Sequence, residues 1–484
     1  MYNNLIITKV DEVYVKVECE RSMAAELSEY FTFYVPGYKF IPAFKNKIWD
    51  GKIRLFNTQN NTIYAGLVSH VEKFAKEREY TFNIKNDLIA ETEFSLKEAM
   101  DFISTLNIPF EIRDYQTNSF LRCVRKNRAL LVSPTASGKS LIIYLLTRWY
   151  DTKTLIIVPT ISLVAQLTKD MNDYGLNSDK YIHQIMSGVE KYSDKQIIIS
   201  TWQSIFKMPK EWFDQFKMVI GDEAHQFKAK SLTTILTKMT GCQYRFGLTG
   251  TLDGTLTHKL VLEGLFGKVF SITTTKELID QGKLATFKIK ALILKHSENK
   301  CKLVKNFDYQ NEIDYLVSNY ERNKFIRNLT ASLKGNTLIL FQLVEKHGKI
   351  LYEMIDSSAK DKRVSFIHGG VEIDERESIR QLTENQNNAV IVASYGTFST
   401  GINIRNLHNI IFASPSKSKI RTLQSIGRGL RLGNNKSEAT LYDIADDISY
   451  KSKKNFTLQH FIERMKIYND EKFEYKIYTI NLKD

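Results

Sequence analysis

From about Arg128 onward the chain repeats one pattern: a short, nearly unbroken apolar run, a polar turn, then an amphipathic stretch. The runs "RALLVS", "TLIIVPT", "QIIIST", "MVIGDE" and "YRFGLTG" have few alternating polar positions, which predicts parallel strands buried on both faces. Between them, "SLIIYLLTRWY" and "SLVAQLTKDMNDYG" space their apolar residues as helices do, the second stopped by Gly175. The pattern pauses from Thr255 to Lys324. It resumes with "NTLILFQ", "RVSFIHGG", "NAVIVAS", "HNIIFASP" and "ATLYDIAD", interleaved with the helical "EKHGKILYEMI" and "DERESIRQL". Two such series predict an α/β protein with two layers, each on a parallel sheet. The first hundred residues differ. "LIITKVDEVYVKVEC" alternates like a half-exposed strand, and the Pro and Gly that follow suggest hairpins, so a small α+β domain is expected there. "FTLQHFIERMKIYNDEKFEY" reads as a closing amphipathic helix packed on the second layer. The expected division is 1–100, 101–285 and 286–484.

Composition adds that the chain folds: 43% of residues are hydrophobic and 25% charged, with no low-complexity tract. No run approaches the roughly 20 apolar residues of a membrane span. The N-terminus carries Asp11, Glu12, Glu18 and Glu20 rather than an apolar core, unlike a signal peptide. Cys19, Cys123, Cys242 and Cys301 lie far apart, without the close pairs of a zinc or redox motif, which fits a reducing cytosol and a cytoplasmic protein. The formal charge of +14 is unevenly placed. Residues 385–437 contain no acid but hold Arg405, Lys417, Lys419, Arg421, Arg428, Arg431 and Lys436. "GYKFIPAFKNKIWDGKIR" interleaves Lys39, Lys45, Lys47, Lys52 and Arg54 with Tyr38, Phe40, Phe44 and Trp49. Cations for phosphates and rings for bases suit nucleic acid; a solvated basic face over an aromatic core is the plain alternative.

The chemistry centres on "SPTASGKS", Ser133 to Ser140, which ends like a phosphate-binding loop but has serine at its first position. A strand leads in, Pro134 disfavours helix at Ser133, and a helix begins at Lys139, which is the context such a loop needs. Backbone N–H groups at the helix start would face phosphate, Gly138 would let the backbone approach, Lys139 would supply charge and Ser140 an oxygen for Mg²⁺. "VIGDEAH" ends an apolar strand with paired carboxylates, Asp222 suited to the Mg²⁺ shell and Glu223 to orienting and deprotonating water. In "QSIGRGLR", Arg428 and Arg431 share one face if helical, as arginine fingers or as phosphate-backbone contacts.

The ordered set "RDYQ", "SPTASGKS", "VPTISLVAQ", "STWQSI", "GDEAH", "LTGT", "ASYGTFSTGINI" and "QSIGRGLR" resembles superfamily 2 helicases of the DEAH-box kind, in which serine is common at the loop's first position. "GYKFIPAFKNKIWDGKIRLFN", "YAGLV", "PKEWFDQF" and "DEKFEY" are similar to the UvsW recombination helicases of large tailed bacteriophages, across essentially the whole chain. The resemblance implies two RecA-like domains with ATP and Mg²⁺ in the cleft between them. It implies ATP-driven remodelling of branched double-stranded DNA: junction branch migration, R-loop and D-loop unwinding, and fork regression. It places Arg113 and Gln116 at adenine; Ser133, Pro134, Thr135, Ala136, Ser137, Gly138, Lys139 and Ser140 on the phosphates; and Gly401 at the turn toward the nucleotide. His225 and Gln424 would meet across the cleft, and Thr249 and Thr251 would couple hydrolysis to DNA grip. Pro159, Thr160, Ser200, Thr201, Trp202, Ser394 and Thr397 become candidate DNA contacts, joined by Lys39, Lys45, Lys47, Trp49, Lys52 and Arg54. Implied partners are branched and single-stranded DNA, RNA–DNA hybrids, and single-strand-binding and recombination proteins, with the chain a monomer in solution. Competing readings are an RNA helicase, a restriction translocase, and an ATP-gated annealing protein that does not unwind.

Overall fold

The computed structural model describes residues 4–85, 91–135, 137–186, 188–228, 230–359, 361–399, 404–414, 418–430 and 438–482. The chain divides into two compact units, Met1–Ser133 with Gly138–Ile272, and Pro134–Ser137 with Thr273–Asp484. Among the described residues, no helix is long and apolar enough to cross a membrane.

The first unit opens with the expected small α+β domain. Its strands are β1 (Asn4–Lys9), β2 (Tyr14–Glu18), β3 (Thr32–Tyr34), β4 (Lys52–Arg54), β5 (Phe56–Asn57), β6 (Thr62–Tyr64) and β7 (Thr81–Ile84). Five of them form a sheet in the order β5-β6-β2-β1-β7, while β3 and β4 pair separately as an antiparallel ribbon. The period-two pattern has the expected result: Leu5, Ile7, Val15 and Val17 are fully buried, against Leu27 and Phe74 of two covering helices.

Seven parallel strands follow: β8 (Arg128–Val132), β9 (Thr154–Val158), β10 (Ile182–Ile185), β11 (Ile197–Thr201), β12 (Met218–Asp222), β13 (Tyr244–Thr249) and β14 (Val269–Ser271). Their order is β10-β11-β9-β12-β13-β8-β14, with helices on both faces. Apolar runs buried on both sides produce such a sheet. Because all strands point one way, every strand-ending motif arrives at the same carboxyl edge.

The small domain is docked against this layer. Glu12 N donates to Thr240 O at 3.0 Å, and Arg128 Nη2 to Glu12 O at 2.6 Å. His70 Nε2 lies 2.8 Å from Glu263 Oε2 on the helix Leu256–Phe266. Burial pushes the Glu263 carboxyl up, but hydrogen bonds from His70 and from Val269 N outweigh this and leave it below its usual range. Gly66 approaches so closely that a Cβ there would stand 1.9 Å from Glu263 O.

The second unit carries its own parallel sheet: β15 (Thr286–Lys295), β16 (Thr337–Phe341), β17 (Arg363–Ile367), β18 (Ala389–Ser394), β19 (Asn409–Phe412), β20 (Glu438–Asp447) and β21 (Tyr475–Asn481). The order is β17-β18-β16-β19-β20-β15-β21. Asp443 and Asp446 lie three apart on β20 and so face opposite sides of the sheet. Each holds a fully buried arginine. Asp446 takes Arg322 Nε at 2.9 Å and His296 Nε2 at 3.1 Å; Asp443 takes Arg464 Nη2 at 2.7 Å and the Tyr468 hydroxyl at 2.8 Å. Burial raises the Asp446 pKa, but Arg322 and His296 more than offset it.

Two expectations change. The pause from Thr255 to Lys324 contains strands, since β14 finishes the first sheet and β15 lies inside the second. The closing helix is Phe456–Asp470, shorter than expected. The chain turns at Lys472, in left-handed backbone at φ 57°, and β21 then pairs in parallel with β15.

Candidate active site

The phosphate-loop segment starts where β8 ends. Ser133 N donates to Thr249 O at 2.9 Å, tying the loop's entrance to the end of β13. Gly138, at φ 83° and ψ 43°, caps the 12-residue helix Lys139–Tyr150 without any side-chain cap, so the first N–H groups of that helix are left to the loop. Glycine is favoured here by the left-handed backbone, and a Cβ, 2.4 Å from Gln116 Nε2, would displace the end of that amide. Gln116 is buried; its Oε1 accepts from Arg113 N at 3.0 Å and its Nε2 donates to Gly138 O at 3.4 Å. Arg113 Nη1 donates to the Tyr115 hydroxyl at 2.5 Å. Lys139 Nζ donates to Ser133 O at 3.4 Å. Within the loop, Ser137 N donates to Pro134 O at 3.2 Å; Thr135 is half-buried, and Ala136 lies outside the described residues.

Beside the loop, β12 delivers Asp222, followed by Glu223 in left-handed backbone at φ 49°. Glu223 N donates to Asp222 Oδ1 at 2.9 Å, which orients the Asp222 carboxylate against the backbone that follows it. Burial, with the neighbouring Glu223 charge, pushes the Asp222 carboxyl up to about 6, against the opposing pull of Lys139. Glu223 Oε2 stands 3.3 Å from His225 Nδ1, within range of a charge contact, while the hydrogen bonds run inward from His225: Nδ1 to Thr249 Oγ1 at 3.0 Å, and Thr249 Oγ1 to Thr251 O at 3.0 Å. The Thr249 hydroxyl has one proton and gives it to Thr251 O, so it accepts from His225. The imidazole therefore carries its proton on Nδ1. The sequence named all four residues but did not pair His225 with Thr249, because contacts between strand ends 24 residues apart leave no local signature.

One contact had no sequence signal. Ser140 Oγ lies 2.7 Å from the hydroxyl of Tyr174, whose phenol burial pushes up to about 12, so that two neutral hydroxyls share the bond. The donor set nevertheless fits its expected cargo. Bare N–H groups, a lysine and a glycine suit a triphosphate, and one hydroxyl with one carboxylate suits Mg²⁺, which keeps waters and phosphate oxygens in its shell.

The other candidates divide. Pro159 and Thr160 follow β9 at the same sheet edge, half-buried, with Thr160 Oγ1 3.0 Å from Ser162 Oγ. Ser200 is fully buried and donates to Thr201 O, and Thr201 is buried beside Ser204. Of that motif, Trp202 is the candidate that is partly exposed. In the second unit Ser394 Oγ donates to Thr397 Oγ1 at 2.8 Å, at the start of the helix Tyr395–Ser399. Gln424 and Arg428 sit on the helix Lys419–Gly429. Their side chains, and the whole of Gly401 and Arg431, lie outside the described residues. In the N-terminal ribbon, Lys39, Lys45 and Lys47 are exposed, whereas Trp49 Nε1 donates to Lys52 O and Arg54 pairs with Asp50.

Comparison with known proteins accounts for most of the chain. Residues 6–85 match the family described as DNA helicase UvsW, N-terminal; 109–254 match the type III restriction enzyme res subunit; 321–433 match the helicase conserved C-terminal domain. The ATP-dependent DNA helicase uvsW of enterobacteria phage T4 is 36% identical, with 98% of each chain covered. The crystal structure of T4 UvsW superposes with a TM-score of 0.52 at 33% identity, covering 99% of this chain and all of that one. The DNA 3'-5' translocase XPB2 of Sulfurisphaera tokodaii is 25% identical over 69% of this chain and 81% of its own length.

Proposed function

The chain belongs to the UvsW family of ATP-dependent DNA helicases, and we propose that it remodels branched DNA by a DEAH-box ATPase cycle, in three parts bounded at 1–100, 101–285 and 286–484. In this reading the helix start at Gly138 and Lys139 binds the phosphates, and Ser140 with Asp222 holds Mg²⁺, which when bound neutralises charge on the transferring phosphate. Glu223 accepts a proton from the attacking water. Arg428 and Arg431 are the arginine fingers, Gln424 and Gly401 serve the same step, and Arg113 with Gln116 reads adenine. Holliday junctions, R-loops, D-loops and regressing forks are the substrates, in the cytoplasm of the host cell, with single-strand-binding and recombination proteins as partners.

The observation that carries this reading is the cluster beside the lysine loop, in which Glu223 stands 3.3 Å from His225 and His225 is hydrogen-bonded through Thr249 to Thr251. It connects the proposed base to the loop after β13, so a change at one end is felt at the other.

The test is a gel assay on labelled Holliday junctions and R-loops with and without ATP, alongside ATPase stimulation by RNA, single-stranded DNA and forked DNA. Lys139→Ala and Glu223→Gln are expected to end turnover and unwinding while DNA binding persists. Normal DNA-stimulated ATPase in either variant refutes the assignment. ATP-independent products would establish annealing instead, and stimulation by RNA alone an RNA helicase.

A further inference from the structure

The N-terminal ribbon carries an unusual surface. Between β3 and β4 the chain makes an excursion over residues 35–51, with a single helical turn at Tyr38–Phe40 and a short helix at Pro42–Lys45. The excursion is built to be stiff. Tyr34 stacks on Tyr38 at 4.6 Å between centroids, and Tyr38 meets Phe44 edge-on at 4.7 Å. Gly51, at φ 80°, passes so close beneath Tyr38 that a Cβ would stand 2.4 Å from the ring. Val35 N donates to Gly51 O and Trp49 Nε1 to Lys52 O, both at 2.9 Å. Lys52 lies over the Tyr34 ring and Arg54 pairs with Asp50, the one acid of the excursion. Trp49, Lys52 and Arg54 thus hold the ribbon together.

What this framework presents outward is apolar. Phe40 is 80% exposed and Ile48 79% exposed, the two most exposed large hydrophobic side chains among the described residues. Lys39, Lys45 and Lys47 are exposed around them, and all three line a groove of about 670 Å³ with Ile48 and with Asp50, whose charge Arg54 takes up. A stiff loop that holds two large apolar groups in water, ringed by lysines that form no ion pair among the described residues, is complementary to a surface with apolar faces and phosphates side by side. Phe and Ile are the side chains that proteins drive between base steps, and a base pair at a branch has one face already bare.

We propose that this excursion is a branch-point wedge: Phe40 and Ile48 press on the terminal base pair where the strands of branched DNA part, and Lys39, Lys45 and Lys47 hold the flanking phosphates. The proposal rests on the helicase reading above and gives its N-terminal domain a specific act. It also separates the ribbon's residues into those that touch DNA and those that shape the ribbon.

The test uses the full chain and forked DNA with 2-aminopurine at the branch base, or, as a control, deep in a duplex arm. Wild-type binding without ATP is expected to change fluorescence at the branch base alone. The double variant Phe40→Ala/Ile48→Ala, with both side chains already in solvent, should keep its circular dichroism and its ATPase on single-stranded DNA. It should lose the branch signal and unwind forks roughly tenfold more slowly. Replacing Lys39, Lys45 and Lys47 with glutamine should keep the branch signal at saturation and reduce the slope of log K against log salt by about 2 to 3. A branch signal unchanged in the double variant overturns the proposal, and would leave a protein partner as the occupant of this surface. A wild-type protein without DNA-stimulated ATPase would instead strike the helicase reading, while the ATP-free branch signal still decides the wedge.

Discussion

Thr249→Val tests the polar chain at its middle. The residue is fully buried, and its hydroxyl makes two contacts of 3.0 Å, accepting from His225 Nδ1 and donating to Thr251 O. Valine has nearly the same shape, so the change leaves no cavity and its effect comes from the lost hydroxyl. A buried polar group left without a partner costs about 1–3 kcal/mol. Thr251 O bears that cost in full. His225 bears less, because Glu223 Oε2 lies 3.3 Å from the same nitrogen and takes the proton over. Together these amount to about 2 kcal/mol, or roughly 30-fold in an equilibrium. The imidazole then turns its proton to the Glu223 carboxylate, withdrawing the proposed base, while the backbone bond from Ser133 N to Thr249 O survives. Folding stability should therefore fall by about 2 kcal/mol in a denaturant melt, and DNA-stimulated kcat should fall with little change in KM for ATP. Steady-state ATPase with and without single-stranded DNA measures this, and Thr249→Ser, which keeps the hydroxyl, should recover most of the loss. Wild-type kcat in the valine variant, or a serine variant equally impaired, would show that the chain is not part of the cycle.

Other expectations follow from the same structure. If Asp222 holds Mg²⁺ as proposed, protons compete with the metal there, and because burial and Glu223 raise that carboxyl to about 6 rather than its ordinary 3.8, apparent Mg²⁺ affinity should fall as pH drops through 6 and level off above it; calorimetric titration in the presence of a non-hydrolysable nucleotide would show it. With no Mg²⁺ present, the sign for folding is opposite: the native state binds the extra proton, so this group's contribution to stability declines as pH rises from about 4 to 6. Gly66→Ala puts a Cβ 1.9 Å from a backbone oxygen that cannot withdraw, so the small domain must lift from the helix Leu256–Phe266 and loosen the His70–Glu263 pair. Faster hydrogen exchange across residues 68–77 is the expected readout, and unchanged protection would contradict the docking. Arg464→Ala leaves Asp443 charged and buried, a loss of about 3–5 kcal/mol, and a thermal melt should show the second unit failing first.

Much of this molecule was legible along the chain. Apolar runs flanked by turns marked most strands of both parallel sheets, because a strand covered on both faces carries few polar residues. The loop from Ser133 to Ser140 and the carboxylates Asp222 and Glu223 were visible because their chemistry lies within a few consecutive residues. What the fold alone decided is whatever depends on contacts between distant segments. The edge strand β21 is mostly exposed and carries no buried-strand signature, so only its pairing with β15 reveals it. Asp443 and Asp446 look like ordinary acids until Arg464 and Arg322 arrive from helices on opposite sides of the sheet. The link from His225 to Thr249 exists because parallel strands bring their carboxyl ends to one edge whatever their order in sequence, and that from Ser140 to Tyr174 because the end of the helix Ile161–Asp173 packs on the helix Lys139–Tyr150. Local chemistry is written in neighbouring residues; the geometry that joins it is set by packing across the sheet.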